Sequence, residues 1–354
     1  MAMAGMLLCF SVFTSPVFAS EAAAEISPEA QASRDLLLST DHGDAVTYVI
    51  GHKSPDADTV GCAMAYAYLL NEIGIEAQAV VSDDVNNETQ TALDAFGLEA
   101  PPVMHEAHGK QFILVDHSNY SQAIDGMEDA RVVGIVDHHG IGDVEIVEPM
   151  NVRSAPVGAA ASLVFLAYRE CEVPVPQDMA RIMLMSILSD TRNMARNVTE
   201  VDQQAYDTLV PIAQIEDINA LYKSMAEALA SYGDMTDEEI YYSDYKEYVA
   251  GQKTFCVADV NAFGEEKMRD LAARMLSVME AEYEESGLDY LFIKINNKGE
   301  DESENMMYMT AYGPGAEEVL QEVFANQDET GLFVFKENLS RKTTVAPAIS
   351  EYLE

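Results

Sequence analysis

The chain has 354 residues, 48% of them apolar, with 61 acidic against 20 basic side chains and a formal charge of −41. The length allows two domains with sizeable cores. The charge disfavours nucleic acid as a partner, because a polyanion needs a basic surface. An anionic substrate would be repelled too, unless metal ions or a local basic patch received it.

Residues 1–20 carry no ionisable side chain except the Cys9 thiol, residues 6–17 are mostly apolar, and Val17-Phe18-Ala19 resembles a small-residue cleavage site. The run is too short and too interrupted for a spanning helix, so no stable membrane insertion is expected. It lacks a basic start. The reading is a leader over residues 1–19 and export to a periplasmic or extracellular space, with the cytoplasm as the alternative. Residues 20–44 read as a spacer rich in Ala and Glu. Cys62, Cys171 and Cys256 are scattered and form no pair pattern, so they are expected as buried thiols.

The fold opens at residue 45. Val46, Tyr48, Val49 and Ile50 predict a buried strand, Gly51 and Pro55 end it, and Val60, Ala63, Met64, Ala67 and Leu70 recur at helical spacing. Asp58 or Thr59 is the expected helix cap. His52, Asp56 and Asp58 thus fall at the carboxyl end of a strand, where open α/β sheets place their sites. Two carboxylates this close repel, or one protonates, unless a divalent cation lies between them. The plainer reading is a solvated acidic turn with a chance histidine.

Strands follow at 76–81, 111–115 and 131–136, with a short helix at 88–96. The last two strands end in Asp116-His117-Ser118 and Asp137-His138-His139. Strands alternating with helices predict an α/β fold with a doubly wound, mostly parallel sheet. Helices at 158–169 and 177–188 come next, the second delivering Ser189-Asp190-Thr191, and 201–209 is expected to be helical. Residues 211–217 read as a hinge. From 214 the texture changes to a smaller α+β domain. It starts with a helix bearing Lys223 and a Tyr- and acid-rich stretch at 237–245. Strands at 255–260, 291–295, 306–311 and 331–335 follow, with a long amphipathic helix at 265–285. Domains are therefore expected at 45–213 and 214–354, with no internal repeat.

His52, His117, His138 and His139 sit in the strand-end clusters, whereas His42, His105 and His108 read as solvated loop residues. Imidazole and carboxylate ligands without thiolate suit Mn²⁺, Co²⁺ or Mg²⁺. Two ions about 4 Å apart sharing carboxylates would form a bridging hydroxide able to attack phosphorus. Asp116 and Asp190 are the candidates for the shared ligands.

Gly51-His-Lys-Ser-Pro-Asp-Ala-Asp-Thr59, Val115-Asp-His-Ser118, Val136-Asp-His-His139, Ser189-Asp-Thr191 and Ser340-Arg-Lys342 occur in the order and approximate spacing of a known set. The first four resemble the motifs of the DHH phosphoesterase superfamily. The fifth resembles that of the family II, manganese-dependent inorganic pyrophosphatases. The likeness runs from about residue 46 to about 350. It implies that His52 and Asp56 hold one metal, Asp58 and His138 the other, and Asp116 and Asp190 bridge them. His139 would contact phosphate and act as an acid or orient it, with His117 and Asp137 as supports. Lys223, Arg341 and Lys342 would bind substrate in a cleft between the domains. The implied reaction is hydrolysis of pyrophosphate to two orthophosphates by a bridging hydroxide on two Mn²⁺ (or Co²⁺) per subunit. Mg²⁺ would travel with the substrate, and the subunits would pair as a homodimer.

The chain departs from the family pattern at three places: Arg153-Ser-Ala-Pro-Val-Gly158 lacks the usual acid, Arg192-Asn-Met-Ala-Arg196 replaces an apolar stretch, and Thr343-Thr344 follows the last motif. The alternatives are another DHH phosphoesterase acting on short polyphosphate or small nucleotides, or a non-catalytic, metal-dependent phosphate sensor. A Gly-rich histidine motif of the nucleic-acid enzymes is absent from the sequence.

Overall fold

The computed structural model describes residues 26–43, 45–145, 148–233, 235–299 and 305–354. The expected leader over residues 1–19, with Cys9, lies outside them. The spacer is not all irregular. Ser27 caps α1 (Pro28–Leu38) by accepting from Ala30 N, and proline stands in its first turn. Arg34 Nε donates to Cys171 O at 2.8 Å and Asn151 Nδ2 donates to Leu36 O at 3.0 Å, docking α1 on the body of the protein.

β1 (Thr47–Ile50), β2 (Ala77–Ala79), β3 (Gln111–Val115), β4 (Arg131–Asp137) and β5 (Asn151–Ser154) form one sheet in the order β2-β1-β3-β4-β5, every pair parallel. A parallel sheet must be covered on both faces, which is why β3 is a continuous apolar run, Phe-Ile-Leu-Val, buried throughout. One face packs Val49, Ile113 and Val115 against α2 (Ala57–Glu72), α3 (Asn87–Phe96), α4 (Ala160–Glu170), α5 (Gln177–Asp190), α6 (Glu200–Ala213) and α7 (Ile218–Leu229). The other packs Ile50, Phe112, Leu114 and Ile135 under Ala107, Ile124 and Met127 from the loops before β4.

Two local details differ from expectation. α2 is capped by Asp56, whose Oδ1 accepts from Thr59 N at 3.0 Å, and not by Asp58 or Thr59. Asp56 has the extended backbone a cap requires, so Asp58 falls inside the first turn and is fully buried. Residues 211–217 lie inside the first unit and join α6 to α7. α6 runs through Pro211 to Ala213, and Gln214 ends it in the left-handed region at φ 51°. α7 then returns Leu221, Tyr222, Met225 and Ala226 to the first core. By packing, the first unit extends through α7, and the chain passes to the second sheet after residue 229.

The second unit contains α8 (Asp237–Tyr242), β6 (Tyr245–Ala250), β7 (Lys253–Ala262), α9 (Glu265–Ser286), β8 (Tyr290–Asn297), β9 (Met307–Tyr312), α10 (Ala316–Phe324), β10 (Phe333–Phe335) and α11 (Ala346–Leu353). Its sheet runs β10-β9-β8-β7-β6. Only β7 and β8 are parallel, joined by the α9 crossover, and the other pairs are antiparallel. α8 and α9 cover one face, and α10 and α11 the other. Among the described residues, no helix is long and apolar enough to cross a membrane.

Candidate metal centre and anion cleft

The order β2-β1-β3-β4-β5 reverses direction between β1 and β3, and side chains at the carboxyl ends of strands flanking such a reversal share one crevice. His52 follows β1, Asp116 follows β3, and His138 follows β4. Asp56 and Asp58 stand at the start of α2, and Asp190 is the last residue of α5. Asp116 lies at the centre. Its Oδ2 is 3.3 Å from His52 Nε2 and its Oδ1 is 3.2 Å from His138 Nε2. His52 Nε2 is also 3.4 Å from Asp56 Oδ2, and His138 Nε2 is 3.5 Å from Asp190 Oδ2 and 3.9 Å from Asp58 Oδ2. His52, Asp56 and Asp116 can therefore close around one point, and Asp58, His138 and Asp190 around a second, with ligand atoms in each set within 4.8 Å of one another.

The surrounding bonds aim these groups inward. His52 Nδ1 lies 2.8 Å from Lys53 O and His138 Nδ1 lies 3.1 Å from Val157 O. A carbonyl only accepts, so both Nδ1 atoms carry a proton and both Nε2 atoms face the cluster, where each becomes a ligand once its own proton leaves. The Val157 loop is held in turn by buried Asp202, which accepts from Gly158 N at 2.8 Å and Ser162 Oγ at 2.6 Å. Asp58 accepts from Ala160 N at 2.6 Å, Ala161 N at 3.0 Å and the Cys62 thiol at 3.3 Å. Thr59 Oγ1 donates to Asp116 Oδ2 at 3.0 Å. Asp116 itself sits in the left-handed region at φ 60°, a conformation that aspartate tolerates better than most residues.

Despite their 3.2 Å separation, Asp116 Oδ1 and His138 Nε2 are both buried without a hydrogen-bond partner among the described residues. Leaving such groups unsatisfied costs about 1–3 kcal/mol each. A divalent cation facing both satisfies them, and an all-N,O donor set suits a manganese-like ion. The charges point the same way. Burial and the Asp116 carboxylate push Asp58 up to about 7. Burial together with Asp58, Asp56 and Asp116 pushes Asp190 well above the carboxylate range. Burial opposes the charged imidazoles, but Asp116 and Asp56 override it at His52, raising it to about 11. Asp116 and Asp58 likewise raise His138 to about 9.

A pH-dependent result follows. Both imidazole pKa values lie above 7 in the metal-free protein, so at neutral pH each ring holds a proton that a metal must displace. Metal affinity therefore rises with pH, and calorimetry in buffers of different ionisation enthalpy shows release of at least about two protons per molecule loaded, one from each imidazole. Uptake without proton release would show that these rings are not ligands.

Asp137 and His117, the neighbours expected as supports, both touch histidines of the cluster. Asp137 accepts from Ser118 Oγ at 3.0 Å and from His139 N at 3.0 Å, and its Oδ1 lies 3.1 Å from His139 Nδ1. That contact raises the pKa of the exposed His139 against the effect of burial. Buried His117 donates Nδ1–H to Val115 O and meets His52 edge-on, with ring centroids 6.4 Å apart.

Asp190 also opens onto a cavity of ≈ 460 Å³ between the two sheets, whose walls include Arg192, Asp259, Lys294, Arg341 and Lys342. Arg341 starts a single wide π-type turn that Ser340 caps, and its guanidinium is held by Asp244 Oδ1 at 2.6 Å and Asp244 O at 2.7 Å. Lys294 Nζ lies 2.9 Å from Asp259 Oδ2. Lys223 does not join this group. It is exposed on α7, outside the walls of the cavity. Sequence reading missed Lys294, Asp259 and Asp244. A signal existed for Lys294, a charged residue inside the apolar run Leu-Phe-Ile-Lys-Ile, because lysine is almost never fully buried unless paired.

The model of the DHH family, N-terminal domain, matches residues 46–187, and that of the DHHA2 domain matches residues 223–352. The chain is 33% identical over 319 residues to a probable manganese-dependent inorganic pyrophosphatase of Archaeoglobus fulgidus, covering 86% of this chain and 98% of that one. It is 34% identical over 314 residues to the protein of the same name in Bacillus pumilus, covering 87% and 99%. The structure superposes with a TM-score of 0.66 and 26% identity on a crystal structure from Methanococcus jannaschii assigned to the family II inorganic pyrophosphatases, covering 87% of this chain and 99% of that one.

Proposed function

The chain belongs to the manganese-dependent inorganic pyrophosphatases of the DHH family, and from that membership we propose that it hydrolyses pyrophosphate to two orthophosphates in the cleft between its sheets. One observation carries the reading. Asp190 of the carboxylate–imidazole cluster shares a single cavity with Lys294, Arg341 and Lys342, in a chain with only 20 basic residues.

His52, Asp56 and Asp116 would hold one cation, and Asp58, His138 and Asp190 a second, with Asp116 facing both. Divalent cations there supply Lewis-acid polarisation of phosphoryl oxygens and activation of water. The protein supplies position and charge, which dominate phosphoryl transfer. Arg341, held by Asp244 and Val257 O, places a fixed positive charge in the cleft, and Lys342 adds a second point charge. His139, whose hold on a proton Asp137 strengthens, can give a proton to the departing phosphate. Water cleaves one P–O–P bond, so each phosphorus leaves as orthophosphate. Mg²⁺ bound to the substrate would offset part of the repulsion from so acidic a surface.

The test is phosphate release from pyrophosphate by protein stripped with chelator and reloaded with Mn²⁺. Activity is lost on stripping and returns on reloading. Tight pyrophosphate binding with no turnover in the reloaded protein would instead indicate a sensor.

A further inference from the structure

We propose that the cleft continues past the pyrophosphate site into a second anion subsite formed by Arg192, Arg196 and Lys336, which receives a third phosphoryl group and makes inorganic tripolyphosphate a substrate. This rests on the pyrophosphate reading and extends it. Arg192 and Arg196 stand in the walls of the catalytic cavity and of a second cavity of ≈ 430 Å³, to which Lys336 and Tyr222 also contribute. The two spaces are therefore neighbours across the same pair of guanidinium groups.

The arginine between them is built to meet an anion. Arg192 Nη1 is buried and has no hydrogen-bond partner among the described residues. A guanidinium N–H hidden from water loses its solvation and gains nothing, unless an oxyanion accepts from it. Its backbone is constrained as well. Arg192, Asn193 and Met194 all adopt left-handed φ values of 48°, 53° and 64°. Such a run of non-glycine residues costs free energy and persists only where neighbours fix it. Asn193 N donates to Leu188 O at 2.8 Å, Arg196 N donates to Thr191 O at 2.8 Å, and Asn193 Nδ2 donates to Asn219 Oδ1 at 2.9 Å. Arg192 is thus presented by a locked turn, two residues after Asp190.

Charge crowding adds to this. Arg192, Arg196, Lys294, Lys336, Arg341 and Lys342 place six of the 20 basic side chains around the two cavities. Lys298 approaches from the end of β8, close enough to feel both Arg192 and Lys294. Asp259 and Asp244 offset Lys294 and Arg341, but Arg192 is repelled by Arg196 and repels Lys298, and a polyanion threaded along them relieves that repulsion. The chain is linear tripolyphosphate, two phosphoryl groups in the catalytic cavity and the third between Arg192, Arg196 and Lys336. Water attacks the terminal phosphorus, the bond from that phosphorus to its bridging oxygen breaks, and orthophosphate and pyrophosphate leave. The proton freed from water is shared between the products and the solvent.

The experiment uses the full chain, wild type and the variants Arg192→Gln and Lys336→Gln, loaded with Mn²⁺. Steady-state rates are measured with pyrophosphate, tripolyphosphate and ATP, and tripolyphosphate binding is measured by calorimetry on the metal-free protein. Wild type cleaves tripolyphosphate, and in each variant the ratio of kcat/KM for tripolyphosphate to that for pyrophosphate falls about tenfold or more, the effect of losing one charge-assisted hydrogen bond. The ratio cancels any change in folded fraction. Calorimetric affinity for tripolyphosphate falls in parallel. If wild type turns over pyrophosphate but neither cleaves nor binds tripolyphosphate, or if the ratio is unchanged in both variants, the subsite does not exist. If ATP is cleaved as well as tripolyphosphate, the claim of an inorganic chain is overturned. If pyrophosphate itself is not hydrolysed, the reading of the main site fails, and calorimetry with the variants still decides the subsite.

Discussion

Asp116→Asn lowers pyrophosphate turnover by about 10²–10³-fold or more, the loss expected when one preorganised charge is removed from a phosphoryl-transfer site. Asp116 is the only described residue whose two oxygens each face a different imidazole of the cluster, 3.3 Å from His52 and 3.2 Å from His138. Asparagine preserves the shape and tolerates the left-handed backbone at φ 60°. It replaces one anionic oxygen with an NH₂ group that cannot coordinate a cation. The strand pairing does not depend on the carboxylate, since Asp116 N donates to Val136 O through the backbone. The variant should therefore fold, bind less metal and turn over slowly, as read by metal analysis beside steady-state rates. Asp137→Asn, which touches His139 and Ser118, costs less, about 10–100-fold. If Asp116→Asn kept both full metal content and full activity, the shared-ligand role would be untenable.

Gly61→Ala produces the second large effect, on stability and activity together. A Cβ at Gly61 would lie 2.0 Å from Ser186 Oγ and 2.8 Å from Ile182 O. Ser186 Oγ cannot simply turn aside, because its one O–H is held between the carbonyls of Ala57 at 2.9 Å and Ile182 at 3.0 Å. α2 and α5 must then separate, and such overpacking costs about 1–3 kcal/mol. These two helices carry Asp56, Asp58 and Asp190, so their separation also pulls apart the two halves of the cluster. Urea unfolding should show a lower midpoint, and turnover should fall beyond what the unfolded fraction explains. Adding Ser186→Ala removes the nearest clashing atom and recovers part of both losses. Gly140→Ala meets nothing within 4 Å and stays within about 0.5 kcal/mol of wild type. An unchanged midpoint for Gly61→Ala would mean that the helix contact is looser than described.

Much of this architecture was legible because its signals are local. Val115-Asp116 and Val136-Asp137-His138 show an apolar run stopping at a charged pair, which is what a buried parallel strand ending in a crevice looks like. The α2 cap was misplaced by two residues because Asp56 and Asp58 are both good caps, and only the backbone angle at Asp56 distinguishes them. The segment 211–217 reads as a break between units, yet by packing it lies inside the first. Proline usually breaks helices, but Pro211 lies in the last turn of α6, and the apolar face of α7 is claimed by the first core. Lys223 came from the family likeness, and an exposed helix face carries no mark of what it faces. The cleft was least legible of all. Arg192, Lys294, Asp244 and Arg341 are spread over some 150 positions of sequence, and only the packing of two sheets brings them to one cavity or one ion pair.

The most direct test of the whole account is diffraction from crystals grown with Mn²⁺, recorded at the manganese absorption edge. Two anomalous peaks are predicted per chain, one among His52, Asp56 and Asp116 and the other among Asp58, His138 and Asp190, with Asp116 next to both. Well-diffracting crystals with no peak between these side chains, or with the metal bound elsewhere, would contradict it.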